Sequence, residues 1–429
     1  MSDDAATTNR SLSTLVTPVD AKITARKDPA KPYVGLENIP SRGAHLTGWA
    51  HASASISTNT IFRAGDVLFG KLRPNLRKCI VAPFDGYCST DILVLRSNEG
   101  VDPSFAGKVL RTEHVGAAAE KTAIGTKMPR TSWKHLSELK VFCPSFHEQS
   151  KIAQVLDTLD TAIGETEAIV AKLKALKQGL LHDLLTRGVD ANGELRPPYA
   201  EAPHLYKPSP LGWIPKTWEP RGVLDVAPTD RQCILTGPFG ADLGQADFKP
   251  DGVPVLRIGN VQAGFIDWTD TQFVTAEKAN SLRKYRVLEG DLLFARQGAT
   301  TGRNALADAM AGGALINYHI IRVAVDREKC HPAYLYAAFN SASAKSQVDQ
   351  AKGRGTREGV NSEQIASLTF ALPQPDEQKE AVARMAGIDQ TIADESLMLQ
   401  KLRLEKSGLM DDLLTGRVRV TALLKPDKK

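Results

Sequence analysis

Nowhere is this chain apolar for the roughly 20 residues that a membrane-spanning helix needs. Its opening, "MSDDAATTNR", is acidic and polar, so no secretory leader is expected there. Cysteine is scarce: Cys79, Cys88, Cys143, Cys233 and Cys330 are odd in number, widely spaced and form no CxxC pair. That excludes a disulfide frame and a thiolate zinc site, and suits reduced thiols in the cytoplasm. The nine histidines lack metal-ligand spacing. "GATTGR" (residues 298–303) lacks the Gly-Lys-Ser/Thr ending of a phosphate-binding loop. Nor does one sign of charge dominate, since 54 Lys and Arg against 49 Asp and Glu leave a net +5. Such a balance permits a nucleic-acid partner without demanding one. A hydrophobic fraction of 42% excludes wholesale disorder, and 429 residues imply two or three domains.

What the chain does have is a repeat. "GLLHDLLT" (Gly179–Thr186) returns as "GLMDDLLT" (Gly408–Thr415). With Pro144 placed on Pro373, Glu148-Gln149 falls on Glu377-Gln378, Asp160 on Asp389, Ile163 on Ile392 and Lys177 on Lys406. No gap is needed over roughly forty residues, which unrelated helices would not sustain. Apolar residues recur at Ile152, Val155, Leu156, Leu159, Ile163 and Val170, and again at Val382, Met385, Ile388 and Ile392. Steps of three and four predict one long helix per copy, about 60 Å long, with an apolar stripe that the other copy covers.

A fainter repeat precedes each helix. "FRAGDVLFGKLRPNLRK" (Phe62–Lys78) matches "VLEGDLLFARQGATTGR" (Val287–Arg303): Gly-Asp, an apolar strand, then a basic loop. "YVGLENI" pairs with "VLRIGNV", and "STDILVLRS" with "NYHIIRVAV", as short strands of a mixed sheet. Seven of the 24 prolines lie between Pro197 and Pro220, which predicts an extended linker poor in regular structure. The expected fold is α+β: two mixed α/β domains separated by two long antiparallel, coiled-coil-like helices. Such a tandem repeat would be a dumbbell with pseudo-twofold symmetry. The expected divisions are residues 1–143, 144–187, 188–219, 220–372, 373–416 and 417–429.

Catalytic candidates fail on inspection. "RPPY" (Arg196–Tyr199) has arginine where an amino-methyltransferase loop needs an amine acceptor. In "PDEQK" (Pro375–Lys379) the Pro-Asp and Glu-x-Lys elements of a nuclease motif overlap, so they cannot flank a metal from separate strands. Basic loops at matching places remain. The first offers Lys71, Arg73, Asn75, Arg77 and Lys78; the second Arg296, Gln297, Thr300, Thr301, Arg303 and Asn304, with Lys352, Arg354 and Arg357 further on. These residue types read base edges in the major groove and neutralise phosphates.

The tandem resembles the specificity subunits of type I restriction–modification enzymes. The likeness rests on "GDVLF" and "GDLLF", the Pro-x-x-x-Glu-Gln leads "PSFHEQ" and "PQPDEQ", and the ends "LLTRGV" and "LLTGRVRV". "LGWIPKTWE" (Leu211–Glu219) and "GPFGADL" (Gly237–Leu243) add to it, whereas the first domain lacks the Gly-Trp-x-Pro opening. The resemblance implies that each globular part is a target recognition domain reading one half of a split double-stranded DNA site. It implies that the helices set the spacing and bind two methyltransferase subunits, which bring S-adenosylmethionine. A motor–nuclease subunit, where present, brings ATP and Mg²⁺. It also implies that this chain is non-catalytic, binds no cofactor and works in the cytoplasm without a membrane. Two rival readings stay open: an unrecognised DNA-modifying enzyme acting alone, and a coiled-coil scaffold with no DNA role.

Overall fold

The structure is a computed structural model that describes residues 9–24, 28, 30–43, 45–54, 57–296, 302–351 and 361–424. The chain divides into two compact units: residues 1–170 with 394–429, and residues 171–393. The first long helix spans Phe146–Thr186 and the second Pro375–Leu413, so each gives part of its length to each unit.

In the first unit an antiparallel sheet carries the strands in the order Val16–Pro18, Ile92–Ser97, Val67–Gly70, Cys79–Val81. A second sheet contains one parallel pair, Pro32–Val34 beside Gly86–Ser89. Asn9–Ser11 pairs with Lys140–Phe142, the strand that leads into the first long helix. The second unit follows the same plan. Its antiparallel sheet runs Ile234–Thr236, Ile320–Val323, Leu292–Ala295, Asn304–Leu306. Its parallel pair is Val253–Leu256 beside Leu315–Ile316, and Glu219–Gly222 pairs with Thr369–Leu372.

The repeated Gly-Asp has a structural cause. Gly65 and Gly290 sit at φ +87° and +88°, a left-handed conformation that costs a side-chain-bearing residue energy. The aspartate that follows is buried in both copies. Asp66 accepts the backbone N–H of Arg63 and both arms of Arg96, at 2.8 and 2.7 Å. Asp291 accepts the backbone N–H of Leu288 and the guanidinium of Arg231. A buried carboxylate holds only with such partners, so Gly-Asp fixes the turn before each central strand.

The Glu-Gln at the start of each long helix is a joint. Gln149 and Gln378 are 2% and 0% exposed. Gln149 accepts the backbone N–H of Asp102 at 3.1 Å and donates to the carbonyl of Pro144 at 2.9 Å. Gln378 accepts the backbone N–H of His331 at 2.7 Å and donates to the carbonyl of Pro373 at 2.9 Å. Asp102 and His331 are the N-caps of the helices Pro103–Leu110 and Pro332–Phe339. One side chain thus ties the start of each long helix to the start of a helix in its globular domain. The preceding glutamate reaches the other way: Glu148 binds Arg419, and Glu377 binds Arg196.

Within each unit the two long helices run antiparallel. In the first, Asp160 meets Lys406 and Glu167 meets Arg403, while Ile152, Leu156 and Leu413 share one core. In the second, Lys177 meets Asp389, and Leu184 packs with Ala381. Asp160 and Asp389 occupy equivalent repeat positions, as do Lys177 and Lys406. Each aspartate therefore binds the lysine that is the repeat image of the other's partner, so the register of the sequence repeat is the register of the pairing.

The proline-rich segment differs from its expectation. Val189 bridges Leu195, and Tyr206–Ser209 pairs with Gly212–Pro215 as a hairpin. Tyr206, Ile214 and Trp218 are buried, the tryptophan completely. Three apolar anchors of this size outweigh the lack of backbone donors at the prolines. Arg196, from "RPPY", and Glu377, from "PDEQK", form an ion pair with each other. The two catalytic look-alikes are one structural contact.

Candidate nucleic-acid interface

The two basic loops leave equivalent strands and are held in the same way. The backbone N–H of Lys71 donates to the carbonyl of Asp91 at 3.0 Å, and that of Arg296 to the carbonyl of His319, also at 3.0 Å. Each loop therefore rests on the turn between two neighbouring strands.

In the first unit Arg73 and Arg77 flank a short turn, Pro74–Leu76, with φ of +51° and +52°. Two arginines in the left-handed region within five residues is a strained backbone, of the kind retained where a loop has work to do. They point to different fates. Arg73 and Asn75 are exposed, with the Arg73 guanidinium beside Met128. Arg77 is turned inward: its side chain is 11% exposed and binds Glu113 at 2.6 Å and Glu120 at 2.9 Å. It packs against Gly116, where an added Cβ would lie within 1.4 Å of the guanidinium. Lys78 donates to the carbonyl of Leu36 at 2.6 Å. In this structure Arg77 and Lys78 are thus engaged by partners within the chain. Glu113 and Glu120 lie far along the sequence, so nothing in the loop itself foretells their capture of Arg77. Lys71 stays half-buried at the base of the loop.

In the second unit Arg296 extends its guanidinium to the carbonyl of Tyr318 at 3.3 Å, and Arg303 binds the side chain of Gln262 at 2.9 Å. Both of these bonds lie at the exposed surface. Asn304 is 7% exposed and exchanges hydrogen bonds with Asn340, tying a strand to the end of the helix Pro332–Phe339. Gln297, Thr300, Thr301, Lys352, Arg354 and Arg357 lie outside the described residues.

Sequence reasoning missed several groups beside the loops. Arg130 holds the Asp91 carboxylate by two bonds, at 2.9 and 3.3 Å, at the exposed edge of the first unit. Arg42, another left-handed arginine, donates its backbone N–H to Arg77 and its guanidinium to Glu113. In the second unit the turn that supports Arg296 carries Tyr318 and His319 in place of Thr90 and Asp91. Burial and the adjacent Arg296 guanidinium push the His319 imidazole below its ordinary pKa. The rings of Tyr318 and Phe239, the latter in the "GPFGADL" loop, stack 6.3 Å apart. Beside them opens a cleft of about 720 Å³. The available sequence signal was the "GPFGADL" motif itself, which sets an aromatic residue between glycines in a loop.

The arrangement offers cations, amides and ring faces on mainly β scaffolds. Among the described residues no group of three or more His, Cys, Asp and Glu is placed to hold a metal ion. No helix among them is long and apolar enough to cross a membrane.

Comparison with known proteins agrees with this architecture. The family model "Type I restriction modification DNA specificity domain" matches residues 26–175 and 215–403. The chain is 24% identical over 302 residues to the type I restriction enzyme MjaVIII specificity subunit of Methanocaldococcus jannaschii, covering 70% of this chain and 67% of that one. It is 23% identical over 370 residues to the putative type I restriction enzyme MjaX specificity subunit of the same organism, covering 83% and 79%. In fold it is similar to the crystal structure of a type I restriction–modification S subunit from M. genitalium. There the TM-score is 0.58 at 14% identity, covering 96% of this chain and 97% of that one. A strand plan used twice, a helix register repeated without a gap and a family match across both copies lead to one conclusion: this chain belongs to the type I restriction–modification DNA specificity family.

Proposed function

We propose that the chain recognises a bipartite double-stranded DNA site for a type I restriction–modification complex, each unit reading one half. The observation that carries this is a shared scaffold with divergent tips. Lys71 and Arg296 leave equivalent positions of equivalent sheets, held by equivalent backbone bonds, yet one sits over Asp91 and Arg130 and the other over Tyr318 and His319. Binding phosphate alone requires only cations, which carry no sequence information. Different side chains on one frame are what reading two different half-sites requires.

On this reading Arg73, Asn75, Arg296 and Arg303 contact DNA, with Gln297, Thr300, Arg354 and Arg357 kept as candidates. The paired helices set the gap between half-sites and dock two methyltransferase subunits. Those subunits supply S-adenosylmethionine chemistry; a motor–nuclease subunit, when it joins, uses ATP and Mg²⁺. This chain supplies recognition and no catalysis, and works in the cytoplasm. The test is to co-purify the chain with its methyltransferase subunit and titrate duplex DNA at several salt concentrations. Specific binding whose logarithm falls linearly with the logarithm of salt is expected. Modification by the chain alone would establish an enzyme, and absence of salt-dependent binding would leave a protein scaffold.

A further inference from the structure

Apolar side chains exposed singly are ordinary, whereas exposed apolar groups held together as a patch mark a candidate binding site. Phe239 is 65% and Tyr318 37% exposed, yet their rings stack at 28° between planes. The pair is built rather than accidental. Gly237 lies so close to the turn bearing Tyr318 that an added Cβ would come within 2.2 Å of the Asn317 carbonyl oxygen. Gly237 also donates its backbone N–H to Ile320, which pins the "GPFG" loop beside that turn. The adjoining cleft of about 720 Å³ is lined by Gln245, Arg257, Asp270, Asn317, Tyr318 and His319. Amide, guanidinium and carboxylate groups of this kind match the donors and acceptors on a base edge.

We propose that Phe239 and Tyr318 form a stacking platform for one nucleobase of the target, swung out of the duplex and read at its edge in the adjoining cleft. The proposal rests on the DNA-recognition reading above and deepens it. In an intact duplex the ring faces are covered by neighbouring bases, so an exposed aromatic side chain can touch only an edge or a thymine methyl. A methyl contact needs no cleft. A base taken out of the stack needs both a ring face and hydrogen-bonding walls, the combination present here. Arg296, whose guanidinium binds the carbonyl of Tyr318, lies beside the platform where a phosphate flanking the displaced base would pass. The corresponding turn of the first unit has Thr90 and Asp91 with Arg130, so the two units read their halves by different means.

The experiment uses the full chain assembled with its methyltransferase subunit. The probe is a duplex carrying the site mapped from modified genomic DNA. Phe239→Ala should weaken binding about 5- to 150-fold, the range for loss of one base–aromatic stack. Phe239→Trp should restore it. On a duplex whose second half-site is scrambled, Phe239→Ala should change nothing. With 2-aminopurine placed along the second half-site, one position other than the modified base should change fluorescence several-fold. That change should vanish in Phe239→Ala. Unchanged affinity in Phe239→Ala, or equal loss on both duplexes, overturns the platform and leaves DNA recognition standing. A loss reproduced by replacing thymine with uracil in the second half-site also overturns it, in favour of a methyl contact. If the wild-type assembly shows no salt-dependent DNA binding, the recognition reading falls and the platform with it.

Discussion

Gln378→Leu removes one side chain and should loosen an entire joint. The residue is 0% exposed, so leucine keeps its volume in the core while deleting its polar atoms. Two closely bonded groups lose their partner, the His331 N–H at 2.7 Å and the Pro373 carbonyl at 2.9 Å, and the carbonyl of exposed Lys329 loses a longer bond at 3.4 Å. Each unsatisfied buried group costs about 1–3 kcal/mol, so about 2–6 kcal/mol is expected. That is a large share of the 5–15 kcal/mol or so that holds a typical domain together. Urea unfolding followed by far-ultraviolet circular dichroism should show the transition of the second unit at lower urea. Hydrogen exchange should show the His331 amide losing its protection. Gln378→Glu separates the two arms: a carboxylate still accepts from His331 but cannot donate to Pro373, so His331 should stay protected although stability falls. A Gln378→Leu protein within about 0.5 kcal/mol of the parent, the range of an ordinary surface change, would refute the reasoning.

Other outcomes follow from the loops and the helices. Arg73→Gln or Arg296→Gln should weaken DNA binding by about 1–3 kcal/mol and relax one position if the arginine reads a base, or reduce the salt slope by about one if it binds phosphate; unchanged affinity and methylation would show that these are the wrong loops. Arg77→Ala should instead lower the melting temperature of the free chain, because Glu113 and Glu120 lose the cation between them; a purely DNA-dependent defect would contradict its structural role. Asp160 lies partly buried, which raises its pKa, but Lys406, Lys108 and Arg111 outweigh this and hold it below the ordinary value of 3.8. Its contribution to stability is therefore full above that value and lost as pH falls through the lower folded one. Asp160→Asn should flatten the acid limb of a stability–pH curve, and an unaltered limb would exclude Asp160 as its source. Inserting four residues into both long helices, after Leu173 and after Ala393, keeps the ion pairs of each unit and adds about 6 Å. Recognition of the same half-sequences across a gap longer by one or two base pairs, at about 3.4 Å each, is expected; an active protein with an unchanged gap would refute a spacing role for the helices.

The long helices were legible because apolar residues at steps of three and four, repeated in one register, admit few other structures. The strands that follow Gly-Asp were legible for a similar reason, since a glycine turn and a short apolar run are local signals. What stayed hidden depends on residues distant in sequence. The linker is ordered because Tyr206, Ile214 and Trp218 bury themselves, and proline content carries no trace of that. Arg77 and Lys78 read as surface cations until the chain brings Glu113, Glu120 and the Leu36 carbonyl to them. Asn304 reads as a loop residue until Asn340 arrives from a helix. Phe239 and Tyr318 become a pair only when the sheet order places Ile234–Thr236 beside Ile320–Val323.

On the proposed function, two independent readers sit on one chain. The direct measurement is sequencing of modified bases in cells carrying this chain and its methyltransferase subunit, before and after residues 220–355 are exchanged for those of a relative. A bipartite site is expected, in which the exchange alters one half and preserves the other half and the gap. A change in both halves together, or a pattern of modification indifferent to the exchange, would contradict it.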